Sequence, residues 1–291
     1  MAEQKQTPNI VFGATGFVGS YIVDQLANSG KKPIGVSRKE QPTNNSCDWI
    51  QGDLLFPDEL QLPATDVIYS TGNARHFGPA LPRLLRSPVR RIVIISSSSV
   101  WTKISSPDPI ERFAMEDLAA AEDTIIRTCE AHSVEWTILR PTLIYREGVD
   151  PNVTRLASII RRFGFLPLNG TGNGLRQPIH AEDLAIGAIA SAASAAAANK
   201  AYYVSGSDTI SYREMTGRIF DALGKPRRMI SLPPPVWSLA FAVARPLFPG
   251  ISGVMGRRMS EDLVFDSSDA RADFGWKSRG FYPRFGSAPS D

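Results

Sequence analysis

Cysteine is scarce. Cys47 and Cys129 are the only two among 291 residues, which excludes a disulfide scaffold and any cysteine-based zinc site. Histidine is nearly as rare, and His76, His132 and His180 are too scattered to form an HxxxH pair. No metal is expected. No apolar run approaches the roughly 20 residues needed to span a bilayer, and Met1 to Gln6 lacks the apolar stretch of a secretion signal. These absences predict a soluble, reduced, cytoplasmic protein. An excess of one charge is also missing: 32 Lys+Arg face 29 Asp+Glu, a net charge of +3, so no nucleic-acid partner is expected.

What is present is enough apolar material for a full core. Hydrophobic residues make up 43% of the chain and charged residues 21%, which suits one large domain or two modest ones. Short β-branched runs recur at Asn9–Phe12, Lys32–Ser37, Asp48–Gln51, Asp66–Ser70, Arg91–Ser96 and Glu135–Leu139. Helical stretches separate several of them, at Phe17–Ser29 and Glu111–His132. Alternating strands and helices imply right-handed crossovers and a parallel, doubly wound α/β sheet of the Rossmann type.

After Pro141 the pattern changes, with Gly, Pro and Asn clustered from Gly148 to Pro178. A helix is expected from Asn152 to Phe163, an alanine-rich cover helix from Glu182 to Ala198, a strand at Tyr202–Val204 and a capped helix from Ser211 to Leu223. The expected division is a dinucleotide-binding domain of residues 1–139 and 177–205 and a small C-terminal α/β substrate lobe of residues 140–176 and 206–286. Residues 287–291 are expected to form a flexible tail.

Gly13-Ala14-Thr15-Gly16-Phe17-Val18-Gly19 lies between the first strand and the first helix. Glycine permits a tight turn there and lets backbone N–H groups approach a pyrophosphate, while the helix amino end adds partial positive charge. The second strand ends on Ser37-Arg38-Lys39, with no acid to hold a ribose 2′-hydroxyl. An arginine there favours a 2′-phosphate, so NADP(H) is expected over NAD(H).

This GxxGxxG turn and the strand–helix series after it resemble the short-chain dehydrogenase/reductase superfamily, in its extended, nucleotide-sugar epimerase/dehydratase branch. The resemblance runs to about Phe285. It implies an adenine contact at Asp53 and Leu54, and further cofactor contacts at Ser70, Thr71, Gly72, Ser96, Pro141 and Thr142. It also places Ser97 where a Ser or Thr hydrogen-bonds the reacting oxygen. The family's Tyr-x-x-x-Lys pair is absent, however: alignment on Ala121-Glu122 puts Ala114 and Leu118 at those positions. Lys103 and Tyr145, and less strongly His76, are the candidates for a replacement acid.

On the substrate side, Asn152 falls where epimerases bind a UDP-sugar diphosphate. Gly174-Leu175-Arg176 with His180 to Ala185 resembles the family's Gly-x-Arg…His-x-x-Asp-Leu-Ala signature, in which the arginine pairs with substrate phosphate. The resemblance therefore implies an enzyme acting on a phosphorylated substrate of the sugar-nucleotide kind. The missing pair leaves open a catalytically silent NAD(P)-binding protein with a structural, sensing or regulatory role, as in dyad-less relatives that regulate transcription or sit on respiratory complex I. The helix Glu111–His132 could form a homodimer contact. The apolar segment Val236 to Phe248, beside Arg257 and Arg258, is expected to pack on the substrate lobe, with membrane-surface contact as the alternative.

Overall fold

β-branched runs in the first half of the chain become strands because both faces of a parallel sheet are covered by helices. The computed structural model describes residues 7–42, 46–104, 106–237, 256 and 258–286. The described residues form two compact units, those within 1–141, 181–204 and 266–277 making the first and those within 142–180, 205–265 and 278–291 the second.

The strands of the first unit are β1 (Ile10–Phe12), β2 (Ile34–Ser37), β3 (Asp48–Gln51), β4 (Thr65–Ser70), β5 (Val89–Ile95), β6 (Glu135–Pro141) and β11 (Lys200–Val204). All seven run parallel, in the order β11-β6-β5-β4-β1-β2-β3. Their helices are α1 (Gly19–Asn28), α2 (Ala74–Leu84), α3 (Ser99–Thr102), α4 (Pro109–Ala131), α6 (Ala181–Ala193) and α8 (Ser268–Phe274). α1 packs with α6 and α2 with α4. Ile10, Phe12, Ile68, Phe77, Ile92, Ile94, Ile125 and Ile138 form the core between the sheet and the α2–α4 pair, with the Phe12 and Phe77 rings edge to face at 5.4 Å.

The order of the strands places the site. The chain winds outward from β1 through β2 to β3, then returns to β4 on the other side of β1. Adjacent crossovers thus diverge at β1 and β4, and a switch point of this kind is where a dinucleotide would bind, beyond the carboxyl ends. Register aligns those ends: Phe12 pairs with Val36 and Ser70, and Ser70 with Ile94.

Three features depart from the expectations. α2 is a helix the sequence hides, because Pro79 and Pro82 lie inside it. Both prolines are exposed, while Phe77, Ala80, Leu81 and Leu84 are buried, so packing of one face outweighs the lost backbone bonds. The alanine-rich helix stops at Ala193, short of Ala198. Arg91, 2% exposed, reaches its end and donates to the carbonyls of Ser191, Ala192 and Ser194 at 2.8, 3.2 and 2.6 Å. A 3-10 turn at Ala195–Ala197 follows.

Third, residues 266–277 belong to the first unit and not to the substrate lobe. The Trp276 ring lies so close over Gly187 of α6 that a Cβ there would approach it to 2.3 Å, and Tyr202 donates to Asp273 at 2.6 Å. Residues 177–180 shift the other way. The short strands β7 (Ile144–Tyr145) and β10 (Ile179–His180) pair in parallel inside the second unit.

The second unit also contains α5 (Val153–Phe163), β8 (Leu166–Asn169), β9 (Leu175–Arg176), β12 (Ile210–Ser211), α7 (Tyr212–Ala222) and β13 (Met229–Leu232). β8 pairs with β13 and β9 with β12, around a core of Val153, Ile160, Leu168, Met215, Phe220 and Phe281. The expected tail, 287–291, and most of the apolar segment, 238–248, lie outside the described residues, as does Arg257.

Candidate cofactor site

The turn after β1 is built for close approach. Gly13 has φ +75°, and a Cβ there would meet Thr71 Oγ1 at 2.7 Å. Gly19 is tighter still, since its Cβ would fall 2.1 Å from the Gly13 carbonyl oxygen. The Gly16 N–H donates to Gly13 O at 2.8 Å, closing the turn. Thr71 fastens it to the end of β4 by donating its hydroxyl to the Phe12 and Gly13 carbonyls at 3.1 and 3.2 Å. Thr15 and Gly16 lie exposed at the tip, and no side chain caps the helix at Val18. A glycine-lined turn at a helix amino end suits a pyrophosphate. The residues present fit a dinucleotide.

Around this turn the first unit gathers the expected residues from neighbouring strand ends. Ser37 closes β2, and its Oγ accepts from the Lys39 N–H at 3.2 Å. Arg38 is exposed and makes no ion pair among the described residues. Asp53 is half-buried, its carboxylate accepting from the Leu55 N–H at 3.0 Å, a local turn that also positions Leu54. Ser70 is fully buried with no hydrogen-bond partner for its Oγ among the described residues, and Gly72 is exposed just beyond it.

Beyond β5 lies the expected reacting end. Ser97 Oγ accepts from the Ser99 N–H at 3.1 Å, which leaves its O–H free to donate elsewhere. Lys103 faces Glu111 on α4, Nζ to Oε1 3.4 Å, and Ser106 donates to the same carboxylate at 2.7 Å. His76 is exposed on α2. Ala114 and Leu118 occupy α4, which carries neither tyrosine nor lysine. Pro141 ends β6, its carbonyl accepting from Ser98 N–H at 3.0 Å.

Glu122 was not expected to act here. It is 3% exposed, receives the Ser96 hydroxyl and pairs with Arg140 Nη2 at 2.6 Å. Arg140 in turn lies 6.0 Å from the Trp101 ring and 5.9 Å from the Tyr203 ring. This arrangement locks the ends of β5, β6 and β11 together. The signal was in the sequence: Glu122 shares a helical face with Leu118, Ile125 and Cys129, where a carboxylate needs a partner.

The second unit corrects two expectations and leaves others in place. Tyr145 is 1% exposed, its ring packed edge to face on His180 and Phe281, so it is a core residue and not a proton donor at a surface. Arg176 is 5% exposed and donates to the carbonyls of Leu175 and Glu261 at 2.7 and 2.6 Å and of Arg258. Burial depresses its pKa, against the opposing pull of Tyr212 and nearby acids. Its guanidinium is turned to loop carbonyls and not held open toward a phosphate. Arg176→Met is therefore expected to lower thermal stability by about 3 kcal/mol with no specific loss of phosphate-ligand affinity. A stable variant with weakened phosphate binding would restore the original assignment.

Thr142 donates its hydroxyl to the Gln177 carbonyl. Asn152 is exposed at the start of α5, its Nδ2 3.5 Å from Ile144 O. Buried Asp150 holds that helix end, accepting from the Asn152 and Val153 amides at 2.8 and 2.6 Å. Sequence reasoning missed it. His180 Nε2 lies 3.3 Å from Glu147. Burial pushes the Glu147 pKa up, but hydrogen bonds from His180 and the Arg284 amide (2.9 Å) outweigh it and hold the pKa below the usual range. No group of acidic, histidine or cysteine side chains among the described residues could hold a metal.

A seven-stranded doubly wound sheet with a glycine turn at its switch point defines a Rossmann dinucleotide-binding protein. The profile of the NAD(P)H-binding family matches residues 13–158, half of the chain, and the protein belongs to that family. It is 26% identical to a UDP-glucose 4-epimerase of Vibrio cholerae, over 92% of this chain and 90% of that one. It is 28% identical to the mitochondrial NADH dehydrogenase [ubiquinone] 1 alpha subcomplex subunit 9 of Arabidopsis thaliana, over 81% of this chain but only 62% of the plant protein. Its fold matches the UDP-N-acetylglucosamine 4-epimerase of Methanobrevibacter ruminantium M1, solved with UDP-N-acetylmuramic acid, at a TM-score of 0.71. That match has 17% identity over 94% and 93% of the two chains. These likenesses agree with the family match in fold: a Rossmann-type NAD(P)-binding protein.

Proposed function

We propose that the protein is an NADP(H)-dependent reductase- or epimerase-like enzyme that acts on a nucleotide-linked sugar or a similar phosphorylated substrate with a non-standard acid. Arg38 carries the cofactor part: it stands at the end of β2, exposed and without an ion pair among the described residues. A guanidinium there would take a 2′-phosphate. Gly13 to Gly19 would receive the pyrophosphate, with Thr71 holding the turn. The bound nicotinamide would supply or accept hydride. Ser97 would donate its O–H to the reacting oxygen, and Lys103 would place a positive charge beside it. The substrate class rests on the likeness to the two UDP-sugar epimerases, with Asn152 as a phosphate contact. A cytoplasmic location and a homodimer through α4, where Ile110 and Phe113 are 81% and 68% exposed, complete the proposal.

A second reading is a cofactor-holding protein without turnover. Ala114 and Leu118 favour it, as does the likeness to a respiratory-chain subunit.

Titration with both nicotinamides tests the first part. NADPH is expected to bind more tightly than NADH, and Arg38→Ala to reduce that preference by roughly tenfold to a hundredfold. Equal affinities in the unaltered protein would reject the NADP(H) assignment. Hydride transfer across a panel of UDP-sugars separates the two readings: turnover that falls in Lys103→Ala supports the enzyme, and bound cofactor without any turnover supports the silent protein.

A further inference from the structure

The second unit carries an aromatic and cationic edge that the proposed activity does not use. α5 ends on Arg161-Arg162-Phe163, and Gly164, at φ +73°, turns the chain into Phe165 and β8. Phe163 and Phe165 are 41% and 39% exposed, with ring centroids 6.5 Å apart. The neighbouring strand extends this surface. The Leu166 N–H donates to Arg228 O at 2.9 Å, which sets Arg228 beside Phe165. Ile230, two residues on and 49% exposed, shares its face.

Arg162 stacks 5.2 Å from the Phe163 centroid, while Arg161 lies 5.3 Å from the Phe285 ring. Arg161, Arg162 and Arg228 are all exposed and make no ion pair among the described residues, whereas nearby Arg227 is held by Asp221 and Glu214. Arginine in the last turn of a helix complements the helix dipole. That accounts for Arg161 and Arg162, but not for Arg228 or for two neighbouring phenyl rings each about two-fifths exposed.

We propose that this edge docks on an anionic lipid surface. The Phe163 and Phe165 rings would enter the boundary between headgroups and acyl chains, and the three guanidinium groups would meet lipid phosphate or carboxylate. Charge complementarity and the layering favour lipid over an acidic protein. Arg162 and Arg228 stand beside the rings, as basic groups at headgroup level beside an inserted apolar face would. The contact is peripheral, since among the described residues no helix is long and apolar enough to cross a membrane.

Sedimentation of the full chain with phosphatidylcholine vesicles, with and without phosphatidylserine, tests this. Binding is expected only with phosphatidylserine, weakening as salt rises. The variant R161Q/R162Q/R228Q should bind about a hundredfold more weakly, at roughly fivefold per basic residue. F163S/F165S should lose about tenfold or more. An unchanged circular-dichroism spectrum and a cooperative thermal melt show that each variant is folded. A separate probe, Phe163→Trp, should shift its fluorescence to the blue on adding phosphatidylserine vesicles. Indifference of the unaltered protein to these vesicles at low salt overturns the proposal, as does an unshifted emission from the Phe163→Trp variant. Binding that survives both multiple variants also overturns it, and capture by polyglutamate that F163S/F165S leaves intact points instead to an acidic protein partner.

Discussion

Gly19→Ala is expected to lower NADPH affinity by more than about a hundredfold and stability by about 1–3 kcal/mol. The added Cβ would lie 2.1 Å from Gly13 O, 2.7 Å from Gly13 C and 2.8 Å from Thr71 Oγ1. Two of these atoms are backbone of the turn itself, so relief requires the turn to open where a pyrophosphate would rest. Gly30→Ala is the matched control. Its φ is +78°, yet a Cβ there meets nothing within 4 Å. It should cost about 1 kcal/mol of backbone strain and leave cofactor binding unchanged. Isothermal titration and thermal melts of both variants decide the matter: Gly19→Ala binding as tightly as the unaltered protein would remove the turn from the site.

Arg91→Leu should be the most destabilising single change outside the turn, at about 3–5 kcal/mol. Arg91 is 2% exposed and bonds three carbonyls at the end of α6, together with Glu135 Oε2 at 2.9 and 2.7 Å. The carboxylate is 42% exposed, so solvent screens that half of the interaction. The larger loss comes from carbonyls left without a donor. Glu135→Gln is accordingly expected to cost about 1 kcal/mol or less, and urea midpoints should show the gap. Equal losses in the two variants would assign the stabilisation to the ion pair.

Much of the first unit could be read from residues alone. β1, the glycine turn and β5 announce themselves because a short apolar run, a tight turn and a β-branched stretch each leave a local signature. α2 does not, since its two prolines argue against a helix that only tertiary packing rescues. The end of α6 is invisible for a related reason: it depends on Arg91, 100 residues away. Site residues divide along the same line. Spacing placed Arg38 and Ser97 at strand ends, where topology puts them. It could not tell whether Tyr145 or Arg176 points outward, because burial depends on Phe281 and on residues 258–261, far along the chain.

The first unit is assembled from three stretches of chain, the last of them only residues 266–277. No continuous fragment reproduces it. A product ending at Pro141 would lack β11, leaving β6 as a bare sheet margin with unpaired amides. It would also strip away α6 and Trp276, and with them the carbonyls that satisfy Arg91. Proteolytic nicking or premature termination would therefore yield material prone to self-association, not a smaller working nucleotide binder.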